Sequence, residues 1–178
     1  MGRLIGDRVM LREYRQEDLS ALRAWVNDTE TTRYLAGSYR RPQTWEQMEE
    51  WLMRRLNGDA GGEGYVIADK ETQKYLGQID LMMIDPIARK AEMAIVLMPQ
   101  AQKKGYALES IRLILAYAFY TMNLNRVWLK CAGKNEAAVR CYERAGFKTE
   151  GVLRNDLYID GEYTNALIMG ILKEEFHP

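Results

Sequence analysis

The stretch that decides the reading is Gln102-Lys103-Lys104-Gly105-Tyr106-Ala107, and with it the downstream run Asn135-Glu136-Ala137-Ala138-Val139-Arg140-Cys141-Tyr142-Glu143-Arg144-Ala145-Gly146-Phe147. The hexapeptide lies between a strand-like run ending near Leu97 and a segment, residues 105–122, whose Leu108, Ile111, Leu115, Ala118 and Met122 recur at helical spacing. A strand, a glycine-containing turn and a helix start aim several backbone N–H groups and the positive end of a helix dipole at one point. Such a point suits a pyrophosphate. Gly105 lets a ligand approach the backbone, Ala107 leaves room beside the first helical turn, and Lys103 and Lys104 add favourable charge. No Walker Lys-Ser/Thr pair and no G-x-G-x-x-G accompanies the turn, which disfavours nucleoside triphosphates and dinucleotides. Taken alone, a polar turn with lysines is more often a solvated loop.

Toward the C-terminus, residues 127–131 read as a short apolar strand, Asn135 caps a helix over 136–145, and Gly146 stops it. Lys148–Ile159 and Glu162–Leu172 are strand-like runs joined by Asp160-Gly161, a two-residue hairpin signal. Toward the N-terminus, residues 65–68, 75–83 and 90–97 read as an antiparallel meander punctuated by turn residues at 70–73 and at Asp85-Pro86. A helix opens before them at a Thr44/Gln47 capping box and carries Met48, Trp51, Leu52 and Leu56 on one face. Earlier still, Val9 and Leu11 alternate with polar neighbours as in a half-buried strand, and Asp18 stands as the N-cap of a helix bearing Leu19, Leu22, Trp25 and Val26. With no repeat or linker, residues 1–178 read as one α/β domain. Its sheet is mixed but mostly antiparallel, flanked by helices and closed by a C-terminal β-hairpin.

Composition narrows the chemistry. The 178 residues carry 25 Lys plus Arg against 25 Asp plus Glu, with 47% hydrophobic residues, the balance of a domain able to bury its own core. A net charge of zero argues against a nucleic-acid partner, because phosphate contacts dominate that kind of affinity. Cys131, Cys141 and the single histidine, His177, are too few for a four-ligand zinc site or a Ser/His/Asp or Cys/His triad, so no metal is expected. The start, from Met1 to Gly6, breaks before any apolar run develops and reads as no signal peptide; no membrane-length apolar segment follows, and sparse cysteine fits a reducing compartment. A cytoplasmic protein is expected.

The two quoted motifs together resemble the GNAT superfamily of acyl-CoA-dependent N-acetyltransferases. Gln102, Gly105 and Ala107 match its Gln/Arg-x-x-Gly-x-Gly/Ala turn, while Asn135, Ala138, Tyr142, Gly146 and Phe147 match its later helix. The likeness extends to Ala91-Glu92 and to Tyr158–Gly161, Tyr163 and Met169, placing the chain near the branch that acetylates ribosomal-protein N-termini and polyamines. It covers residues 90–172 specifically; residues 1–89 agree only in the order of elements. Ala101 stands where an aromatic is frequent and Lys103 where glycine is frequent.

The resemblance implies acetyl-CoA as cosubstrate, held by the turn from Gln102 through Lys103, Lys104, Gly105 and Tyr106 to Ala107. The backbone of Ile95, Val96 and Leu97 would pair with the pantetheine amides, and Asn135, beyond its capping role, would reach the cofactor arm. It makes Tyr142 the acid that protonates the departing thiolate, a sensible donor since a phenol near pKa 10 stays protonated at neutral pH; a buried structural aromatic is the plainer reading. Glu92 matches a glutamate that several relatives carry and would serve as base, directly or through water; equally, it pairs with Arg89 or a neighbouring strand on the solvent face. Cys141 invites an acyl-enzyme, but no histidine is available to activate it. Trp25, Tyr34, Trp45 and Trp51 with Glu46, Glu49 and Glu50 suit a cationic amine, though such a glutamate run is more often a solvated helix face. The expected enzyme transfers acetyl by direct attack of a small-molecule or peptide primary amine. The alternative is a non-catalytic CoA-binding regulator of the same fold. The long C-terminal hairpin offers a route to a homodimer.

Overall fold

In the computed structural model, residues 2–35, 37–59 and 61–177 are described; Met1, where the reading of the start begins, lies outside them. Eight strands form one sheet in the order β1-β2-β3-β4-β5-β6-β8-β7, namely β1 (Leu4–Ile5), β2 (Val9–Arg12), β3 (Glu63–Asp69), β4 (Tyr75–Asp85), β5 (Lys90–Leu97), β6 (Arg126–Ala132), β7 (Lys148–Ile159) and β8 (Glu162–Leu172). All neighbours run antiparallel except β5 and β6. The helices are α1 (Leu19–Val26), α2 (Thr29–Thr32), α3 (Trp45–Leu56), α4 (Tyr106–Ala116) and α5 (Glu136–Arg144). No described helix is long and apolar enough to cross a membrane.

The sheet separates two apolar clusters. Ile67, Ile79, Leu81 and Met93 face α4, where Ile111, Ile114 and Leu115 are fully buried, and the partly buried Val139 and Tyr142 of α5 complete that side. On the other face Val66, Ala68 and Met10 meet Leu22, Trp25 and Val26 of α1 and Met48 and Leu52 of α3. Because both faces are covered, β2 is buried at all four positions and does not alternate as expected.

That burial also changes the role of Asp18. Arg12 is enclosed, and a buried guanidinium requires a carboxylate; Asp18 meets it through two hydrogen bonds of 2.9 and 2.8 Å and accepts the Arg15 N–H as well. Its side chain therefore makes no cap bond to α1. The Thr44/Gln47 capping box of α3 forms as read. The run expected as one helix over 105–122 is α-helical only to Ala116, continues as a π turn at Tyr117–Thr121 and ends at Asn123, whose φ is +56°. Asp160 and Gly161 both take left-handed φ, +53° and +81°, which the tight β7–β8 hairpin demands.

Candidate active site

The site begins where the sheet comes apart. β5 pairs with β4 along its whole length, from Lys90 opposite Asp85 to Leu97 opposite Gly77. With β6 it pairs only at Lys90, Ala91 and Glu92. Beyond Glu92 the two strands diverge and leave one edge of β5 unpaired.

Amide direction alternates along a strand, so the groups on that edge can be assigned. Met98 N–H reaches Leu76 C=O at 2.9 Å, which turns Val96 toward β4 and turns Ile95 and Leu97 toward the opening. Leu97 C=O already accepts from Gln102 Nε2 at 3.2 Å. Of the three residues expected to meet a pantetheine arm, Val96 thus has its backbone engaged with β4, while Ile95 and the Leu97 N–H face the gap. Gln102 ties the phosphate turn to the strand end.

The turn itself requires special backbone. Lys103 has φ +59° and Gly105, which precedes the first residue of α4, has φ +85°. Gly105 meets that need without strain; Lys103, where the resembling turn often carries glycine, bears a left-handed conformation that costs a non-glycine residue about 1–2 kcal/mol. Gly105 also makes room for a neighbour, since a Cβ there would stand 3.0 Å from Arg8 Nη2. Tyr106 and Ala107 begin α4, half-buried against the core.

Asn135 Oδ1 accepts the Ala138 N–H at 3.3 Å, the bond of an N-cap. One helical turn on, Tyr142 packs edge-on to Phe147, ring centroids 6.0 Å apart. Its hydroxyl has no hydrogen-bond partner among the described residues. Burial, reinforced by the nearby Cys131 and Cys141 thiols, pushes the phenol well above its usual range, so it stays protonated at any physiological pH. Burial likewise raises the Cys131 thiol to about 11 and the Cys141 thiol upward, which leaves both as poor nucleophiles.

Glu92 marks the fork, opposite Trp128 of β6 and Met82 of β4. It is half-buried and makes no ion pair with Arg89, which instead holds Asn123. Lys130, a cation that acts on it, is paired with Asp156 at 2.5 Å. Desolvation raises the Glu92 carboxyl and Lys130 only partly opposes the shift. Glu46, Glu49 and Glu50 are exposed on α3, as the plainer reading of that run holds.

Sequence reading missed the polar cluster beneath α1 and α3. Trp25 Nε1 donates to Tyr75 Oη, Tyr75 to Gln78 Oε1, and Gln78 Nε2 to Asp80 Oδ2, at 3.0, 3.2 and 3.4 Å. Arg55 Nη1 closes the chain 2.9 Å from Asp80 Oδ1, and its guanidinium lies over Trp51, 5.0 Å from the ring centre. Gln78 and Asp80 sit opposite Val96 and Ala94, one strand from the opening. These residues are scattered over α1, α3 and β4, and no local pattern links them.

Known proteins share this arrangement. The acetyltransferase (GNAT) domain profile matches residues 8–148. Spermidine N(1)-acetyltransferase of Escherichia coli K12 is 28% identical over 169 residues, spanning 94% of this chain and 88% of that protein. Its Vibrio cholerae counterpart is 31% identical over 134 residues, 75% of this chain and 76% of its own. A crystal structure of spermidine N-acetyltransferase from Vibrio cholerae in complex with CoA and spermine superposes with a TM-score of 0.84 at 29% identity, covering 94% of this chain and 97% of that one.

Proposed function

The chain belongs to the GNAT acetyltransferase family and transfers acetyl from acetyl-CoA to an amine; from that premise we propose that the acceptor is a primary amine of a small polycation, held at the fork of β5 and β6. The observation that carries this reading is Glu92, a half-buried carboxylate with no ion pair among the described residues, at the register position of Trp128 where the strands part. A half-buried carboxylate with an aromatic residue at the neighbouring register position suits an alkylammonium. The spermidine acetyltransferases among the relatives support the same choice of substrate.

In the reaction, the thioester arm lies along the free edge of β5, its amides meeting Ile95 and Leu97, while the Gly105 turn holds the phosphates. The ammonium gives its proton to Glu92 or to a water beside it, the amine attacks the thioester carbonyl, and the C–S bond breaks. Tyr142 hydrogen-bonds the departing sulfur, which takes up the second proton as the acylated nitrogen gives it up. With its own pKa raised, the phenol stabilises growing thiolate charge chiefly as a donor within a dry site. The products are the N-acetylated amine and CoA thiol.

The same reading places the protein in the cytoplasm, without a nucleic-acid partner, and pairs two copies through the edge strand β7, whose Val152 and Leu153 are exposed. Sedimentation velocity at two concentrations tests that pairing, and a monomer at both removes it. The substrate test is thiol release from acetyl-CoA with spermidine, a short peptide with a free N-terminus and an amino sugar, each product identified by mass. Spermidine is expected to react fastest, and Glu92→Gln to raise its KM about tenfold, the weight of one charged hydrogen bond. Wild-type kcat/KM should fall as pH drops through the raised Glu92 pKa, because the carboxylate is lost there first, and Glu92→Gln should lack that limb. A peptide preferred over spermidine, or an unchanged KM in Glu92→Gln, refutes the acceptor assignment.

A further inference from the structure

Resting on the reading of the Gly105 turn as the phosphate seat of CoA, we infer that Arg8 is a further phosphate-binding residue, bracing the turn from outside and offering its outer nitrogen to the diphosphate. Arg8 lies between β1 and β2, far from the turn in sequence, yet three contacts fix its guanidinium there. Nη1 donates to Lys104 C=O at 2.9 Å, Nε donates to Glu109 Oε2 at 3.2 Å, and the group stands 5.3 Å from the centre of the Tyr106 ring.

Nη2 has no acceptor among the described residues. It lies where a Cβ of residue 105 would reach it at 3.0 Å, so the bare Gly105 admits the guanidinium directly against the backbone that a diphosphate approaches. The Arg8 side chain is 55% exposed, leaving Nη2 open to a ligand. Glu109, the one carboxylate paired with Arg8 among the described residues, does not compete for the outer nitrogen. Its Oε1 accepts the Arg8 and Val9 N–H groups at 2.7 and 3.1 Å, and its Oε2 takes Arg8 Nε. An arginine already held on three sides loses little side-chain freedom when it meets phosphate, and its free Nη2 brings one charge-assisted donor to an oxygen. With Lys103 and Lys104 in the turn, Arg8 makes a third cation at this point.

Calorimetric titration of CoA and 3′-dephospho-CoA into wild type, Arg8→Gln and Arg8→Lys tests the assignment without need of an acceptor. Arg8→Gln is expected to weaken both ligands about tenfold and to flatten the salt dependence of Kd, while Arg8→Lys recovers most of the affinity. Wild-type affinity in Arg8→Gln would leave Arg8 as a brace alone and overturn the inference, as would equal losses in the lysine and glutamine variants. A loss seen with CoA but not with 3′-dephospho-CoA would move the contact to the 3′-phosphate and overturn the diphosphate assignment. A wild-type protein that binds neither ligand would overturn the cofactor seat itself, and Arg8 with it.

Discussion

On the α4/α5 side of the sheet, what the protein offers a ligand is mostly backbone: the free edge of β5 at Ile95 and Leu97, and the left-handed turn at Lys103 and Gly105 leading into α4. On the α1/α3 side the polar groups are side chains, with Trp25, Tyr75, Gln78, Asp80 and Arg55 linked in one chain one strand from the opening. The cofactor is large and invariant, so a fixed pattern of amides suffices. An acceptor amine is small and variable, and only side chains can discriminate it. The two regions therefore differ in what substitution can reach: backbone recognition is altered only by changing which residues can adopt the turn, whereas the side-chain region changes one group at a time.

Tyr142 is the catalytic exception on the backbone side, a side chain proposed to act on the departing sulfur, and removing its hydroxyl is the largest expected effect. Tyr142→Phe keeps the packing on Phe147 and the binding of acetyl-CoA, while kcat falls about a hundredfold to ten-thousandfold, about 3–5 kcal/mol of barrier. Steady-state kinetics with the best acceptor check it. A kcat within a few fold of wild type would return Tyr142 to a structural aromatic.

The side-chain region has a pH signature. Burial raises Asp80 to about 6, with Arg55 and Gln78 opposing the shift. A carboxyl whose folded pKa lies above its unfolded value near 4 binds its proton more tightly when folded, so its contribution to stability is greatest at low pH and declines as pH rises through 4 to 6. Asp80→Asn removes this titration. The stability of wild type relative to Asp80→Asn should accordingly fall by about 2 kcal/mol between pH 4 and pH 7, most of a two-unit shift at about 1.4 kcal/mol per unit, measured by urea denaturation. A pH-independent difference would mean that Asp80 is ionised at low cost and that the cluster is wetter than its burial implies.

The backbone region answers to a third change. Acetyl-CoA at a hundredfold excess over its Kd should stabilise wild type by about 2.7 kcal/mol, and Gly105→Val should abolish most of that shift. A β-branched residue at φ +85° is strained, and its Cβ would crowd Arg8. A full ligand-induced shift in Gly105→Val would locate the phosphates elsewhere.

The same contrast explains what the sequence disclosed. The turn and the α5 motif are contiguous because each is a local backbone conformation set by neighbouring residues, and 90–97, 148–159 and 162–172 were legible as strands for the regularity of their pattern. The parting of β5 from β6 was not legible from residue pattern, since it depends on where a parallel partner on the far side of α4 stops pairing. Asp18 was misread as a cap because Arg12 has no local signal of burial; an arginine in an otherwise apolar strand with an acid six residues on is the hint that was available. β1 and α2, of two and four residues, are too short to show a period. Asp80 and Arg55 carry no local sign of burial, and only their meeting under α3 distinguishes them.

The central claim is that CoA completes the sheet where β5 and β6 diverge. Residue-resolved hydrogen exchange with and without CoA tests it most directly. The Ile95 amide, free at the opening, should exchange markedly more slowly once CoA is bound, while the Val96 amide, already paired with β4, should change little beyond the protection that global stabilisation brings. Ile95 exchange that CoA leaves unchanged, under conditions where CoA is bound, would contradict the account.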